Sequence, residues 1–417
     1  MSYPANILQN VVTYQEGSLA ILANFGPFIG PMSDKKYKNF QDFTAQLGQT
    51  VSWDLPPRLT TTDSLVVSWQ GVQQRIKNLT VDKEKSSAFN FNDGQFIYNV
   101  SDYIKKFGRS ATAALGTQIE ADVATVCATV PYRFYGNGRT PIVSVDQMTE
   151  AFAMFETWGT TGTDLKCTLQ DLSVQKMVSN ALNQFVPTRN EMYAGKWMIG
   201  ELAEYEVYKS NLLPIHMAGN LGNAGTTLTV ASIAHRNADG GIDQITFSGA
   251  GGADANAVKE FDRGQFTAAG GVVNFLTWTG YLPSAAPVQV LVTADAPSSG
   301  GNVTITFTPP LQVAPGPNQN ITTEIVPGMT LELLPNIRCG VITMSDPIFL
   351  AMPKMNTKSP YATATATDED TGVSLRTYYG AGLGTNSNGY IYDQIYGYTA
   401  VPEYMMTVAY PLNAPSL

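Results

Sequence analysis

The sequence has few charged residues for its length. Lys, Arg, Asp and Glu make up 14% of the 417 residues, against roughly 25% in typical soluble domains. Subunit interfaces are depleted of Lys, Glu and Asp and enriched in aromatic residues, and this chain contains 20 Tyr and 18 Phe. The composition therefore favours two alternatives: a protein that buries much of its surface against other copies, or a secreted β-rich protein with a polar, uncharged surface.

Cysteine and histidine are also scarce. The three cysteines, Cys127, Cys167 and Cys339, are far apart and form no CxxC pair, so they predict buried thiols in a reducing compartment. The two histidines, His216 and His235, have no second His or Cys at ligand spacing. This gives poor support for a metal site or a histidine-based triad, and we predict no metal and no cofactor.

Long apolar runs are missing as well. No stretch reaches the roughly 18 apolar residues that a membrane-spanning helix needs, so no contact with a membrane is predicted. The first residues, MSYPANILQNVV, contain no cationic segment followed by an apolar run. No signal peptide is therefore predicted.

Motifs that carry enzyme chemistry are absent or incomplete. The sequence contains no GxSxG, HExxH or P-loop pattern. Gly249–Asp254 and Gly380–Thr385 lack the last glycine of a dinucleotide loop, and Thr367–Gly372 fails the spacing of a calcium loop, so all three are predicted to be turns. Glu201 and Glu204 could share one helix face, but such pairs are common on surfaces. We predict no catalytic residue and no enzyme.

The charge is distributed unevenly along the chain. Residues 1–110 contain 11 basic and 9 acidic side chains, whereas the remainder contains 14 basic and 25 acidic ones. The basic surplus near the start is too small for the clustered cationic face of a nucleic-acid-binding domain. Any contact with DNA is therefore expected to be non-specific and directed at phosphates.

An extended arm is predicted over residues 51–92. The stretch alternates like a strand on either side of a turn-rich centre and is too polar for a core. Folded back on itself, it would have limbs that reach about 60 Å at about 3.3 Å per residue. An isolated two-stranded ribbon is marginally stable, and its open edges invite pairing. The arm therefore needs a partner surface, which is either another copy of the chain or its own domain.

The region after the arm is predicted to be α+β. Apolar residues three and four positions apart predict a helix of more than six turns, and Ser144 with Gln147 completes a capping box. The predicted elements are helices over Ile104–Val126, from Ser144 to Phe155 and over Val174–Phe185, and strands over Leu165–Leu169 and Tyr205–Pro214.

Residues 222–337 differ from the rest of the chain in composition and in polarity pattern. They contain only three Lys or Arg residues, frequent Gly and Pro, and repeated runs of alternating polarity such as TTLTVASI, PVQVLVTAD and NVTITFTPP. These features predict an all-β module, either a small barrel or a sandwich. Because the chain becomes α+β again after Arg338, the module is predicted to be inserted within another domain.

The order of these parts resembles the major capsid protein of tailed double-stranded DNA bacteriophages, with the Hong Kong 97-type fold. The chain is most similar to the short-tailed phage type with an extra inserted domain. TVSWDLPP leads into the arm, FNFNDGQFIYNVSDYIKKF leads from it into the long helix, and LKCTLQD, YEVYKSNLLP and DQIYGYTAVPEYMMTVAYP match later parts of the pattern.

The resemblance implies a division of the chain into an N-terminal arm (1–50), an extended loop (51–92), a peripheral domain with the spine helix (93–143), a first part of the axial domain (144–221), an inserted β domain (222–337), a second part of the axial domain (338–400) and a C-terminal return to the peripheral domain (401–417). Val401 stands where such proteins often have Arg before the Pro. Lys77, Lys83 and Lys85 lie in the arm, but no crosslinking partner is identified and no crosslink is predicted.

The implied function is structural. Copies of the chain would form the pentamers and hexamers of an icosahedral shell, with a scaffolding protein and a portal as partners and packaged DNA inside. The shell would be assembled in the host bacterial cytoplasm and would become part of the virion. The alternatives are another shell protein or a tail-tube protein, and a carbohydrate-binding β protein that uses Trp53, Trp69 or Trp278 as stacking platforms rather than for packing.

Overall fold

The computed structural model describes Leu22 and residues 26–34, 50–55, 58, 75–92, 100–159, 162–171, 173–174, 198–268, 271–355, 362–367, 373–381 and 387–412. Helices and strands alternate irregularly along these residues, so the predicted α+β class is confirmed. Most of the segment predicted as an N-terminal arm, and most of the helix predicted over Val174–Phe185, lie outside the described residues.

The N-terminal part of the chain contributes short strands and the main helices. Its elements are β1 (Ser33–Asp34), β2 (Thr50–Leu55), β3 (Arg75–Thr80), β4 (Lys83–Asn92), α1 (Val100–Ala124), α2 (Val126–Thr129), β5 (Phe134–Tyr135) and α3 (Val145–Glu156). Helix α1 is the long helix that the apolar spacing predicts. At the start of α3, the Ser144 hydroxyl accepts from the Gln147 N–H at 3.2 Å, and the Gln147 side chain accepts from the Ser144 N–H. The predicted capping box is therefore present.

The next elements lead to an all-β region. They are β6 (Lys166–Gln170), β7 (Met198–Leu202), β8 (Tyr205–Ser210), β9 (Ile215–His216) and α4 (Asn220–Ala224). The strands of the all-β region are β10 (Thr227–Arg236), β11 (Ile242–Ser248), β12 (Asp254–Val258), β13 (Arg263–Ala268), β14 (Gly271–Val272), β15 (Asn274–Leu276), β16 (Pro283–Pro287), β17 (Gln289–Val292), β18 (Ala296–Ser299), β19 (Asn302–Leu311) and β20 (Thr330–Leu333).

The chain ends in further strands. They are β21 (Ile337–Thr343), β22 (Ile348–Ala351), β23 (Ala362–Thr367), β24 (Ser374–Ala381), β25 (Ser387–Ala400) and β26 (Met405–Pro411), with a 3₁₀ turn at Pro402–Tyr404 before the last strand.

Six strands form the first sheet. Its order is β1-β22-β25-β24-β23, and β4 pairs with β25. The apolar stripe of α1, including Leu115, Ile119 and Val123, packs on this sheet in one core with Val373, Leu375 and other residues. Helix α1 is therefore held over the sheet by burial of one face.

The second sheet has the order β5-β26-β21-β6-β8-β7, and β9 pairs with β21. Helix α3 covers it through Phe152 and Phe155, and the Phe152 and Tyr205 rings stack with centroids 3.9 Å apart. Strands β21 and β26 belong to the second sheet and strands β22 to β25 to the first, so residues 338–400 contribute to both sheets, and the division of the chain that the resemblance implies stays a prediction.

The all-β region closes into a barrel. Strands β10, β20, β13, β17 and β19 pair in succession, β11 pairs with β10, and β11 also pairs with β19. This closed ring of β10, β11, β13, β17, β19 and β20 is called the barrel below, and of the two predicted architectures, barrel or sandwich, the chain has the barrel. Alternate residues of β19 such as Val303, Ile305 and Phe307 fill its interior. In sequence, the barrel lies between β9 and β21, which pair with one another at Ile337 and His216.

The predicted arm is only partly a projecting element. Strands β2 and β3 pair with each other from Thr50–Thr80 to Leu55–Arg75, and these two strands are called the ribbon below. Strand β4 instead pairs along its whole length with β25. From Lys83 to Asn90 the residues of β4 alternate between half-buried and exposed, a pattern that an edge strand of a sheet shares with a limb of a free ribbon.

The expectation that Glu201 and Glu204 could share a helix face is wrong. Glu201 lies in β7, and Glu204 follows the end of that strand in a tight turn with φ +70°. Both side chains are exposed. The turn joins β7 to its antiparallel partner β8.

Candidate assembly surfaces

The base of the ribbon is fixed to the first sheet. Leu79 and Val81 are fully buried in a small core with Ala351 and Ile395. Gly397 in β25 makes this approach possible, because a Cβ atom there would lie 2.1 Å from the carbonyl oxygen of Thr80. The ribbon therefore leaves the body at a defined place and is not a loosely attached loop.

The outer face of the ribbon is polar and exposed. The hydroxyls of Thr50 and Thr80 lie 2.9 Å apart, and the Ser52 hydroxyl donates to the Asn78 side chain at 2.7 Å. Ile76 is 58% exposed on the same face. In the part of the chain that the structure describes, β2 and β3 pair only with each other. One face of the ribbon is thus exposed, and its two outer edges pair with no other described strand.

Just beyond the end of β2, the chain contacts its own all-β region. Arg58, three residues after the end of β2, donates from Nε to the carbonyl oxygen of Trp278 at 3.0 Å and from Nη1 to that of Gln319 at 3.0 Å. Its guanidinium lies 4.4 Å from the centroid of the Trp278 ring. Of the two partner surfaces that the sequence left open, Arg58 contacts the chain's own domain.

Two of the three arm lysines are engaged within the body. Lys83 donates to the Tyr398 hydroxyl at 2.6 Å and lies over its ring, and Lys85 pairs with Asp122 of α1 at 3.2 Å. Lys77 lies in the ribbon opposite Trp53. Strand β4 is thus tied to α1 and β25 by its charged side chains as well as by its backbone.

A buried carboxylate of α1 holds residues 26–34 against the body. The two oxygens of Glu120 accept from the N–H groups of Phe28 and Ile29, each at 2.8 Å. Burial raises the pKa of Glu120 to about 7, while the two backbone hydrogen bonds act in the opposite direction. Gly26 packs directly on this carboxylate, so the turn and the helix fit together closely.

The barrel is attached to the body by buried polar side chains. Arg263 of β13 is fully buried and donates to the carbonyl oxygens of Ala128, Pro131 and Cys127 at 2.8, 3.0 and 3.1 Å. Burial lowers the pKa of this guanidinium. Its partners lie at and just beyond the C-terminal end of α2, where helix carbonyls lack intrahelical donors. Arg263 therefore caps the helix from the neighbouring barrel.

Two further contacts hold the same junction. The Gln289 side chain pairs with both backbone groups of Phe134, at 2.8 Å for each bond. His216 Nε2 lies 2.7 Å from Asp262, whose other oxygen accepts from the N–H of Gly219 at 3.1 Å. His216 is thus paired with the buried Asp262 where the chain passes into the barrel. These contacts orient the barrel relative to the second sheet and to α2.

The three cysteines and His235, which the sequence analysis singled out, lie among structural contacts. All three cysteines are buried, as predicted, and burial raises the pKa of each thiol. His235 pairs with Asp243 at 2.7 Å on the exposed β10–β11 hairpin.

The predicted turns and the residue at the family's Arg position can also be placed. Residues 249–253 connect β11 to β12, with positive φ at Gly249 and Gly251, and Asp254 begins β12. Gly380 and Ala381 are the last two residues of β24, and Thr367 ends β23. Residues 382–385 and 368–372 of the two other predicted turns lie outside the described residues. Val401 is 3% exposed and packs in the chain's own core.

The structure describes the three candidate stacking tryptophans to different extents. Trp278 stacks on Trp158 with ring centroids 6.4 Å apart and receives Arg58 on its ring, so it is a packing residue with a cationic contact. The backbone of Trp53 lies in β2, and Trp69 lies outside the described residues. Sequence reasoning missed Arg58, Glu120 and Arg263.

The titratable and nucleophilic side chains of the described residues do not cluster into a metal site. Among the described residues no group of three or more His, Cys, Asp and Glu side chains could hold a metal ion. None of the described helices is both long and apolar enough to cross a membrane. What the geometry defines is an α+β protein in which two sheets and a barrel form the body and a two-stranded ribbon leaves it from a fixed base.

The comparisons give matches to solved structures. No protein-family model and no curated relative matches the chain, whereas 94 chains of solved structures do. A chain of the structure named Mycobacterium phage Che8 is 9% identical, with 90% of this chain and 89% of that chain covered and a TM-score of 0.42. A chain from the capsid of Ralstonia phage GP4 is 8% identical, with 90% and 87% covered and a TM-score of 0.43. A chain from the capsid structure of the cyanophage P-SCSP1u is 11% identical, with 90% and 86% covered and a TM-score of 0.40.

Proposed function

We propose that this chain is the major capsid protein of a tailed bacteriophage of the short-tailed type, with the Hong Kong 97-type fold. Its function is to assemble with itself into the icosahedral shell that encloses packaged double-stranded DNA. The observation that carries the proposal is the ribbon, whose base is buried by Leu79 and Val81 and whose outer face and edges are presented outward. A ribbon of this kind gains stability by docking on another surface.

The order of the parts supports the same function. The ribbon is followed by an edge strand, then by a helix of 25 residues on the first sheet, then by the second sheet with the barrel between two of its paired strands. We assign the first sheet with α1 to the peripheral domain, the second sheet to the axial domain, and residues 222–337 to the inserted domain. The low fraction of charged residues fits a subunit whose surface is largely covered in the assembly.

The proposed partners follow from this role. Copies of the chain form pentamers and hexamers, a scaffolding protein and a portal take part in assembly in the host cytoplasm, and the shell is part of the virion. Contact with the packaged DNA is non-specific and salt-dependent. In this role the chain carries out no catalytic step.

Removal of the ribbon tests this proposal. A variant in which Thr50–Thr80 is replaced by a short Gly-Ser linker retains β4 and both sheets. We expect it to remain folded, as measured by circular dichroism and by hydrogen exchange of α1, and to form no closed shells in negative-stain electron microscopy. The control is Val272→Thr, which changes an exposed apolar side chain of β14 outside the ribbon and is expected to form closed shells. Closed shells formed by the deletion variant would contradict the assignment of the ribbon.

A further inference from the structure

Arg58 occupies a built site on the barrel side of the molecule. Its three nitrogens donate to the carbonyl oxygens of Trp278, Gln319 and Thr277 at 3.0, 3.0 and 3.4 Å. The guanidinium carbon lies 4.4 Å from the centroid of the Trp278 ring and 4.3 Å from that of Tyr281. Thr277, Trp278, Tyr281 and Gln319 are called the socket below.

The socket is selective for a guanidinium group. Three carbonyl oxygens in different directions match the planar fork of arginine, whereas a lysine ammonium is a compact point charge. Two aromatic rings beside the plane add cation–π attraction, which arginine exploits more often than lysine. Asp239 and Glu403 line the same cavity of about 210 Å³, so the charge of the neighbouring walls is also complementary.

The socket is preorganised by its own hydrogen bonds. The Thr277 N–H donates to Leu282 at 2.7 Å, and the Tyr281 hydroxyl donates to the carbonyl oxygen of Pro317 at 2.9 Å. Tyr281 has φ +56°, a left-handed conformation that is costly for a bulky residue. Residues held in such conformations cluster at ligand clamps, where the surrounding structure fixes them. A preformed clamp binds its ligand with a smaller loss of conformational entropy.

The socket is also joined to the body. The Trp278 N–H donates to the carbonyl oxygen of Trp158 at 2.8 Å, and the Thr279 hydroxyl donates to that of Gly159 at 2.6 Å. Both acceptors lie just after α3. When Arg58 is bound, the ribbon is held at its base by the first sheet and near the end of β2 by a rigid part of the barrel junction. In a single chain the end of the ribbon opposite its base is therefore tied to its own subunit, while its outer face stays exposed.

We propose that the socket is a guanidinium-binding site that latches the ribbon of the unassembled subunit through Arg58 of the same chain. The inference rests on the proposed function: the latch has to open before the ribbon can dock on a second copy. Loss of the latch then favours assembly, because the free subunit no longer has to break the contact. Docking of Arg58 into the socket of a neighbouring copy would have the opposite consequence, since loss of Arg58 would weaken the shell.

The sign of the effect on assembly tests the latch. Arg58→Ala removes the ligand, and Arg58→Lys retains only the charge. Tyr281→Asn removes one ring, with a residue that tolerates positive φ, whereas Tyr281→Phe keeps the ring and loses only the hydroxyl that donates to Pro317. We expect the first three variants to assemble faster and at a lower threshold concentration in light scattering, with Tyr281→Phe between them and the original chain.

A second measurement uses the unassembled chain. Hydrogen exchange of residues 277–282 is expected to be at least about tenfold faster in Arg58→Ala, a factor that corresponds to about 1.4 kcal/mol. Slower or unchanged assembly of Arg58→Ala, with closed shells still formed by the original chain, would overturn the latch and leave the proposed function standing. If neither the original chain nor any variant forms closed shells, the proposed function itself is wrong.

Discussion

Replacement of Arg263 by Met is expected to uncouple the barrel from the body. The guanidinium is fully buried and reaches three carbonyl oxygens within 3.1 Å, those of Ala128, Pro131 and Cys127. Methionine has a similar length and no donor, so the variant keeps most of the packing and removes the Arg263 donor from the carbonyl oxygens of Ala128 and Pro131. The carbonyl oxygen of Cys127 keeps the Thr407 hydroxyl as a donor at 2.9 Å. The perturbation thus acts on one helix end and on one domain junction.

The magnitude follows from the number of acceptors. A buried polar group that loses its hydrogen-bond partner costs about 1–3 kcal/mol. Two carbonyl oxygens lose the Arg263 donor without the second donor that Cys127 keeps, so the total is about 2–6 kcal/mol. Part of this cost is offset because the variant no longer buries a charged group, whose desolvation is itself expensive. We therefore expect a net loss at the lower end of that total, about 2 kcal/mol in the free energy of unfolding.

The assay is thermal unfolding by differential scanning calorimetry. Because Arg263 lies at the junction, we expect the barrel and body transitions of Arg263→Met to separate in temperature. Arg236→Met is the matched control, since Arg236 lies in the same barrel but pairs with Glu324 on the surface, where both side chains are more than 40% exposed. Exposed pairs contribute about 0–1 kcal/mol. An Arg263→Met profile no different from that of Arg236→Met would refute the reasoning.

Two further substitutions test the other contacts. Burial raises the pKa of Glu120 from 4.5 to about 7, so the folded chain holds this proton more tightly than the unfolded chain does. The resulting contribution to the free energy of unfolding is roughly 3 kcal/mol. It is complete below pH 4.5 and is lost as the pH rises to about 7. Unfolding midpoints of Glu120→Gln should lack this component, and a difference from the original chain that is constant over that window would contradict the assignment. Gly397→Ala should displace the ribbon base at a cost of about 1–3 kcal/mol, because its Cβ would meet the Thr80 backbone, whereas Gly389→Ala in the same strand has only ordinary contacts. Equal midpoints for the two alanine variants would show that the ribbon base tolerates the shift.

Local patterns were sufficient for the elements that local forces determine. The spacing of Leu115, Ile119 and Val123 predicts α1, and the Ser144 capping box predicts the start of α3, because helices depend on neighbours three and four positions apart. The alternating runs between 222 and 337 likewise predict the strands of the barrel. Closure of the barrel, through pairing of β11 with β19, depends on turn geometry and twist, and the sequence left a sandwich as an alternative.

Contacts between distant segments could not be predicted in the same way. Strand β4 pairs with β25 about 300 positions later, and its alternation would be the same in a free ribbon. The socket for Arg58 consists largely of backbone carbonyl oxygens, which carry no residue-specific signal. Glu120 did carry one: it lies four positions from Gly116 and from Ala124, both on the buried side of α1. A carboxylate on that side predicts a buried partner, which is the pair of N–H groups at Phe28 and Ile29.

The proposed function requires that copies of this chain assemble into a closed shell. Electron microscopy of the purified 417-residue chain over a range of concentrations is the decisive measurement. We expect closed shells of uniform diameter in which the ribbon of each subunit lies on a neighbouring copy. Open tubes, discrete rings, or a chain that remains monomeric at every concentration would contradict it.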